Sequence, residues 1–201
     1  MKHEGLEQAA AALGVNLSPT QIELLQRYEE LLERRAAELS MIARSDLSRL
    51  RDRHVLDSLR AGPVLPDAGR VLDLGSGAGL PGIPVAIARP ELWVSLSETR
   101  HQWIAFLELV IQELSLPNVD VQAGRAEEAS GPFEACLARA FRDAPASWRV
   151  AQRLLTPEGC LVYFAGARFD LARDVPAGVL ARPVPTSPLA NAGPLVIMTR
   201  Q

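Results

Sequence analysis

The first sixty or so residues place their apolar side chains at helical spacing. In the stretch 18–39 an apolar residue recurs every three or four positions, which is typical of a helix with one buried face. This stripe consists of Ile22, Leu25, Tyr28, Leu32 and Leu39. Ser18 is suited to cap this helix and Pro19 to occupy its first turn. Two further helices are predicted, over 4–13 and 45–62.

A different pattern follows, in which short apolar runs alternate with longer helical stretches. Strands are predicted over 70–74, 92–98, 119–124, 134–141, 160–165, 179–184 and 194–200. Helices are predicted over 81–89, 99–116 and 144–155. The alternation predicts an α/β fold with a mostly parallel sheet, closed by an antiparallel C-terminal hairpin because no long helix separates the last two strands. We therefore divide the chain into a helical extension, residues 1–62, and a sheet domain, residues 63–201.

Composition narrows the class of protein. The chain has 201 residues, 48% of them hydrophobic, and a formal net charge of −3, so it can bury a core but is not expected to coat nucleic acid by bulk charge. Cys136 and Cys160 stand in apolar runs without metal-ligand spacing, and no metal site is predicted. No early segment resembles a signal peptide and no run approaches a membrane span. We expect a cytoplasmic protein that does not bind membranes.

The run RVLDLGSGAGLPGIP (70–84) carries the first chemical signal. A dinucleotide fingerprint would need Gly or Ala at position 80, where this chain has Leu80. The D-x-G-x-G-x-G order of Asp73, Gly75, Gly77 and Gly79 instead resembles motif I of class I S-adenosylmethionine-dependent methyltransferases. Glycines allow close approach of a ligand to the backbone, and a carboxylate favours the cationic methyl donor. The alternative is a glycine-rich turn that binds no ligand.

Glu98 supplies a second signal at the end of the predicted strand 92–98. An acidic residue at this place in an α/β sheet can accept hydrogen bonds from both hydroxyl groups of a ribose. Methyltransferases and dinucleotide enzymes share the feature, so it supports an adenosine ligand without choosing between them. The alternative is an ordinary carboxylate at a strand end.

Four stretches resemble one family. They are RHVLDSL (53–59), VLDLGSGAGLPGIPVAIARPE (71–91), AFLELVIQELSLPNVDVQAGRAEE (105–128) and ARAF (138–141). In order and spacing they are similar to the bacterial 16S ribosomal RNA guanine-N7 methyltransferases, the glucose-inhibited-division B family. The resemblance implies a Rossmann-like class I methyltransferase fold. It also implies S-adenosylmethionine as the cofactor and N7 of a guanine in 16S ribosomal RNA, free or in the small ribosomal subunit, as the acceptor.

The same resemblance implies where the cofactor is held. By position, the family's cofactor residues correspond to Gly75, Leu80, Ala126, Glu127 and Arg139. Arg139 is also the one candidate for a catalytic residue, because methylation of guanine N7 needs no general base: the nitrogen already carries a lone pair. The alternatives are a solvated helix start at Glu127 and a surface arginine at a strand end for Arg139.

RNA recognition calls for basic residues, and these concentrate in one segment. Residues 34–60 contain seven arginines against four acids. We expect Arg53 and His54, with Arg51, to shape the RNA entrance, since the family's R-H pair belongs to a motif that runs toward the active site. The alternatives are a solvated helix face for the arginines and a structural role for the histidine.

The chain departs from the family where the substrate is expected. The family usually has N-L-T at the positions that are Ser40 to Ile42 in this chain. It has a Lys-Arg pair where this chain has Gln102 and Trp103, and a lysine where this chain has Ala165. These changes leave two alternatives open. One is a divergent paralogue that methylates another RNA or a small molecule, and the other is a non-catalytic module that binds cofactor or RNA. We expect a monomer.

Overall fold

A single mixed sheet organises the chain. The computed structural model describes residues 2–36, 39, 41–184, 189 and 192–201, and within these ranges the sheet has seven strands. They are β1 (Gly69–Asp73), β2 (Leu92–Glu98), β3 (Val119–Ala123), β4 (Phe133–Arg139), β5 (Leu155–Phe164), β6 (Val179–Val184) and β7 (Leu195–Arg200). Their order is β3-β2-β1-β4-β5-β7-β6. The first five strands pair in parallel, whereas β7 pairs antiparallel with both β5 and β6.

Helices connect the parallel strands and precede the sheet. The α-helices are α1 (Lys2–Ala12), α2 (Pro19–Leu31), α3 (Asp57–Leu59), α4 (Gly82–Ala88), α5 (His101–Leu114), α6 (Ala144–Leu154) and α7 (Leu171–Asp174). Shorter 3₁₀ or π turns cover Leu32–Ala36, Arg44–Arg49, Arg51–Leu56, Gly62–Val64 and Ala126–Glu128. Among the helices described, none combines the length and the apolar character that crossing a bilayer requires.

The predicted fold class is confirmed, with differences at element ends. The predicted helix over 45–62 is a succession of short turns, although its apolar residues Val55 and Leu59 are fully buried. Tertiary packing of the apolar face, rather than continuous helical bonding, holds this segment. Strand β4 ends at Arg139 instead of residue 141, because Ala140 has φ +52°, which a strand cannot continue through.

The order of the strands indicates which edge of the sheet binds a ligand. The chain leaves β1 toward β2 on one side and reaches β4 on the other, so the strand order reverses between β1 and β4. In open α/β sheets, ligands bind outside the carboxyl ends of the strands at such a reversal. The glycine-rich segment 74–81 follows β1 at this point.

Polar side chains fasten helix α2 to the sheet domain. Ser18 and Gln21 form a reciprocal cap, with the Ser18 amide donating to Gln21 Oε1 at 2.8 Å. The Gln21 amide group also donates to the carbonyls of Ile87 and Ala88 at the end of α4. The predicted N-cap at Ser18 is therefore confirmed.

The extension and the sheet share one buried apolar cluster. It contains Leu25 of α2, Val55 of the following segment and Val71 of β1, all fully buried. The boundary at residue 62 stays a prediction. Tyr28 joins the two parts most directly: its ring is fully buried, and its hydroxyl donates to the Ala78 carbonyl of the glycine-rich segment at 2.6 Å.

Replacing Tyr28 with Phe tests this connection. Tyr28→Phe keeps the ring and leaves the buried Ala78 carbonyl without its donor, which is expected to lower the free energy of unfolding by about 1–3 kcal/mol. Tyr163→Phe is the matched control, because its hydroxyl donates to the exposed Arg142 carbonyl, where water replaces it. Urea unfolding measures both; equal small losses would contradict the assignment.

Candidate functional site

The segment after β1 turns on glycines whose backbone other residues cannot adopt without strain. Gly75 has φ +69° and Gly77 has φ +56°. A Cβ atom at Gly75 would lie 2.7 Å from the ring of Phe141, and one at Gly77 would lie 3.6 Å from the ring of Trp103. The absence of side chains at these two positions therefore leaves backbone facing two aromatic rings.

Side chains at the end of β2 hold this backbone in place. The Gly75 amide donates to Ser97 Oγ at 3.1 Å, and the Gly77 amide donates to Glu98 Oε2 at 3.0 Å. The other oxygen of Glu98 accepts from the Thr99 and Arg100 amides at 2.7 and 2.9 Å. Glu98 thus fixes both the glycine loop and the start of α5, a role that its sequence position alone does not reveal.

Asp73 supports the loop from below. It is almost completely buried, and its Oδ2 accepts a hydrogen bond from the Gly82 amide at 2.9 Å. Its Oδ1 is buried and has no hydrogen-bond partner among the described residues. Burial raises the pKa of Asp73 to about 7, against the opposing effect of the Gly82 hydrogen bond.

A cavity of about 630 Å³ opens above the glycine loop. Its lining comes from Gly75 after β1, from residues 97–100 and 103, from residues 124–127 after β3, and from residues 140–142 after β4. The size is within the range of small-molecule sites, and the position is the carboxyl edge of the sheet where the strand order reverses.

The predicted cofactor residues divide into two groups. Gly75, Glu98, Ala126 and Glu127 line the cavity together. Asp73, Gly77, Gly79, Leu80 and Arg139, all within the described ranges, do not line it. Asp73 accepts a hydrogen bond from the Gly82 amide, and Gly77 and Gly79 give the loop its turns through their positive φ angles. Leu80 packs against the apolar core, and its amide donates to the Ser76 carbonyl at 3.1 Å.

Glu127 lines this cavity and carries an acceptor atom that the described residues do not use. Its Oε1 is paired with Arg142 at 2.7 Å, whereas its Oε2 is buried without a hydrogen-bond partner among the described residues. A hydrogen bond from its own backbone amide, together with Arg142, lowers the pKa of Glu127. Glu127 is therefore ionised at neutral pH, and one of its two oxygens accepts no hydrogen bond from the described residues.

Arg139 contacts the helical extension and not the cavity. Its guanidinium donates to the Arg53 carbonyl at 2.7 Å, lies 2.9 Å from His54 Nδ1 and lies 3.5 Å from Asp57 Oδ2. The R-A-F motif therefore reaches both parts of the chain, since Phe141 packs beneath Gly75 while Arg139 holds the segment Arg51–Leu56. The cofactor role that the resemblance implies for Arg139 stays a prediction.

The expected RNA-contacting residues are engaged within the protein. Arg51 Nε donates to Glu29 Oε1 at 2.9 Å, and Arg53 Nε donates to Asp46 Oδ2 at 3.1 Å. Burial, reinforced by Arg139, lowers the pKa of His54 to about 4, so the imidazole is neutral at pH 7. Their contacts to RNA stay predictions.

Comparisons with known proteins decide the family. A family model described as GidB, rRNA small subunit methyltransferase G, matches residues 21–170. The chain belongs to this family. It is similar to the ribosomal RNA small subunit methyltransferase G of Chromobacterium violaceum, with 39% identity over 80% of this chain and 78% of the relative. The relative of the same name from Mycobacterium marinum is 39% identical over 81% of this chain and 72% of its own length.

Solved structures support the fold alone. Precorrin-6y C5,15-methyltransferase from Geobacter metallireducens superposes with a TM-score of 0.54 and 17% identity, over 80% of this chain and 90% of that one. TYW2 of M. jannaschii, solved in complex with AdoMet, superposes with a TM-score of 0.55 and 12% identity, over 74% and 76%.

The departures from the methyltransferase G family have different structural settings. Trp103 lines the cavity, and its Nε1 donates to the Leu39 carbonyl at 3.3 Å. Ala165 is buried and its amide donates to the Pro194 carbonyl at 2.9 Å. Ser40 lies outside the described residues. Across those residues, no cluster of three or more His, Cys, Asp or Glu side chains could hold a metal ion.

Sequence reasoning did not identify several residues of the cavity. Ser97, Arg100 and Arg142 carry no motif of their own, and Arg125 lies inside the family-like stretch 105–128 without being one of its predicted site residues. The available signal was positional, because each lies just before or after a residue that the glycine pattern or the family motifs single out. Distance along the chain does not tell which of these neighbours face the ligand.

The buried Asp73 gives a pH prediction. A carboxyl group whose pKa is raised on folding stabilises the protein below its unfolded pKa near 4, and this contribution is lost as the pH rises through about 7. Asp73→Asn removes the titration, so its stability relative to wild type is expected to improve between pH 4 and 8 by up to about 4 kcal/mol.

Urea unfolding of both proteins across this range measures the difference. Asp120→Asn is the control, because Asp120 is a half-buried residue of β3 that accepts hydrogen bonds from the Trp93 and Ser95 side chains. A pH-independent difference for Asp73→Asn would contradict the raised pKa.

Proposed function

We propose that this protein transfers the methyl group of S-adenosylmethionine to N7 of a guanine in small-subunit ribosomal RNA, and that it does so in the cytoplasm. Membership of the methyltransferase G family supports the reaction. The observation that carries the proposal for the site is the cavity itself, where a glycine backbone and two glutamates meet at the reversal of the sheet. The division between extension and sheet domain at residue 62 is part of the same proposal.

The residues present fit the methyl donor. Gly75 and Phe141 both line the cavity, and the absence of a side chain at Gly75 lets the Phe141 ring pack against this backbone. Glu127 offers a buried oxygen without a partner, which suits the amino or hydroxyl hydrogens of an adenosine. Glu98 is fixed by three backbone amides, and its Oε2, which accepts one of them, has a further lone pair for a ribose hydroxyl.

When bound, S-adenosylmethionine supplies a methyl group activated by a sulfonium cation. The chain contributes attraction to that positive charge through Asp73, which is ionised above pH 7. Gly75 and Ala126 would contribute backbone contacts, and Arg139 would keep the helical extension against the loop that carries Phe141. Gly77, Gly79 and Leu80 would set the shape of the loop.

Guanine N7 attacks with its own lone pair, so no proton has to be removed first. The work that remains for the protein is to bring this nitrogen into line with the methyl group and to exclude water. Arg139 is then a positioning residue, because it acts through the segment Arg51–Leu56. Arg51, Arg53 and His54 belong to that same segment, at the proposed entrance for RNA.

Gly75→Ala tests the donor site. The new methyl group combines positive-φ strain with overlap on Phe141, and we expect the affinity for S-adenosylhomocysteine to fall at least tenfold in calorimetry. Gly178→Ala is the matched control, because Gly178 has φ +76° but open space around it. If both variants bound like wild type, the glycine loop would not be the donor site.

A methyl-transfer assay tests the acceptor. Purified protein is incubated with labelled S-adenosylmethionine and small-subunit ribosomal RNA, either as an unmodified transcript or in the small ribosomal subunit, and the nucleosides are separated. We expect label in N7-methylguanosine, and at least tenfold less of it with Gly75→Ala when S-adenosylmethionine is limiting. Label in another nucleoside would identify a paralogue with a different acceptor, and binding of the cofactor without transfer to either substrate would identify a non-catalytic module.

A further inference from the structure

Three arginines stand at the mouth of the cavity. Arg100 follows β2, Arg125 follows β3 and Arg142 follows β4, and all three are exposed and belong to the lining. Because the strands are parallel, the three loops meet at one edge of the sheet. We refer to Arg100, Arg125 and Arg142 as the arginine rim.

Two members of the rim are oriented by aromatic rings. The guanidinium carbon of Arg100 lies 4.1 Å from the centre of the Trp103 ring, and that of Arg142 lies 4.7 Å from the centre of the Phe141 ring. Stacking on a ring fixes the plane of a guanidinium but leaves the N–H donors at its edges available. Trp103, which stands where the family has a cation, therefore positions a cation here.

The donors of the rim are mostly unused by the protein. The Arg100 and Arg125 side chains donate no hydrogen bond within the described residues, and Arg142 donates to Glu127. Two arginines of the extension differ, since Arg51 is held by Glu29 and Arg53 by Asp46. Arginine donors therefore remain open at the mouth of the cavity.

We infer that the arginine rim binds phosphate groups of the acceptor RNA next to the methylated guanine. This inference rests on the proposed function. Three cations around one opening match a chain of phosphates better than they match the single carboxylate of the methyl donor, and arginine is the side chain best suited to bidentate phosphate contacts. In a protein of net charge −3, such a local group is what lets a polyanion approach the cavity.

Neutralising the rim should change the salt dependence of RNA binding. Wild type, Arg100→Gln, Arg125→Gln and the double variant are titrated with an unmodified small-subunit ribosomal RNA transcript at several KCl concentrations. Each lost phosphate contact is expected to reduce the slope of log K against log salt by about 0.7–0.9. Arg149→Gln is the control, because Arg149 is an exposed arginine of α6 outside the cavity lining.

Two further measurements separate the possible anions. Arg100→Lys keeps the charge and is expected to keep the wild-type slope. Affinity for S-adenosylhomocysteine is measured on every variant, and the loss of RNA affinity is expected to exceed any loss of cofactor affinity several-fold. A fall in cofactor affinity with an unchanged RNA slope would overturn the inference, since the bound anion would then be the cofactor carboxylate.

The outcome is distinguishable from failure of the proposed function. In one outcome, wild type methylates the RNA and the glutamine variants of the rim have the same salt slope as Arg149→Gln. This outcome would overturn phosphate binding by the arginine rim and leave the methyltransferase assignment standing. Wild type that binds the cofactor but neither binds nor methylates the RNA would overturn both the acceptor and the rim. A reduced slope only in the rim variants supports the inference.

Discussion

The backbone of the glycine loop has to be held open, and four side chains from different parts of the chain hold it. Ser97 and Glu98 accept from its amides, Asp73 accepts from the amide of Gly82, and Tyr28 donates to the carbonyl of Ala78. Glycines alone would allow this segment many backbone conformations and would not order it. The cavity depends on these bonds through Gly75, the residue of the loop that belongs to its lining.

The hydrogen bond from Tyr28 makes the helical extension part of the site. Arg139 adds a second connection, since it holds the segment Arg51–Leu56 while its neighbour Phe141 supports the loop. If the helical extension only covered the sheet, apolar contacts would be enough to hold it there. The hydrogen bond from Tyr28 to the glycine loop and the contacts of Arg139 with the segment Arg51–Leu56 instead link the place where RNA is proposed to enter with the place where the methyl donor is proposed to lie.

Much of the fold could be predicted because its signals are local. The strand alternation and the Ser18 cap each depend on neighbouring residues, and both predictions agree with the structure. The site was predicted less completely. Glu98 carries a local signal for ribose, yet its three backbone hydrogen bonds depend on how β2 meets the loop in space.

Arg139 and Arg100 show that a sequence motif does not tell which arginines line the cavity. Arg139 has a family motif but its side chain contacts the extension. Arg100 has no motif but stands on Trp103 at the mouth of the cavity. Which arginines keep open donors depends on where acids such as Glu29 and Asp46 come to lie, and that is a property of tertiary structure.

The central claim is that the glycine loop binds a methyl donor and not a dinucleotide. Calorimetric titration of the wild-type protein with S-adenosylhomocysteine, and separately with NADH, measures this directly. We expect S-adenosylhomocysteine to bind with one molecule per chain and NADH to give no binding heat. Binding of NADH in place of S-adenosylhomocysteine would contradict the account.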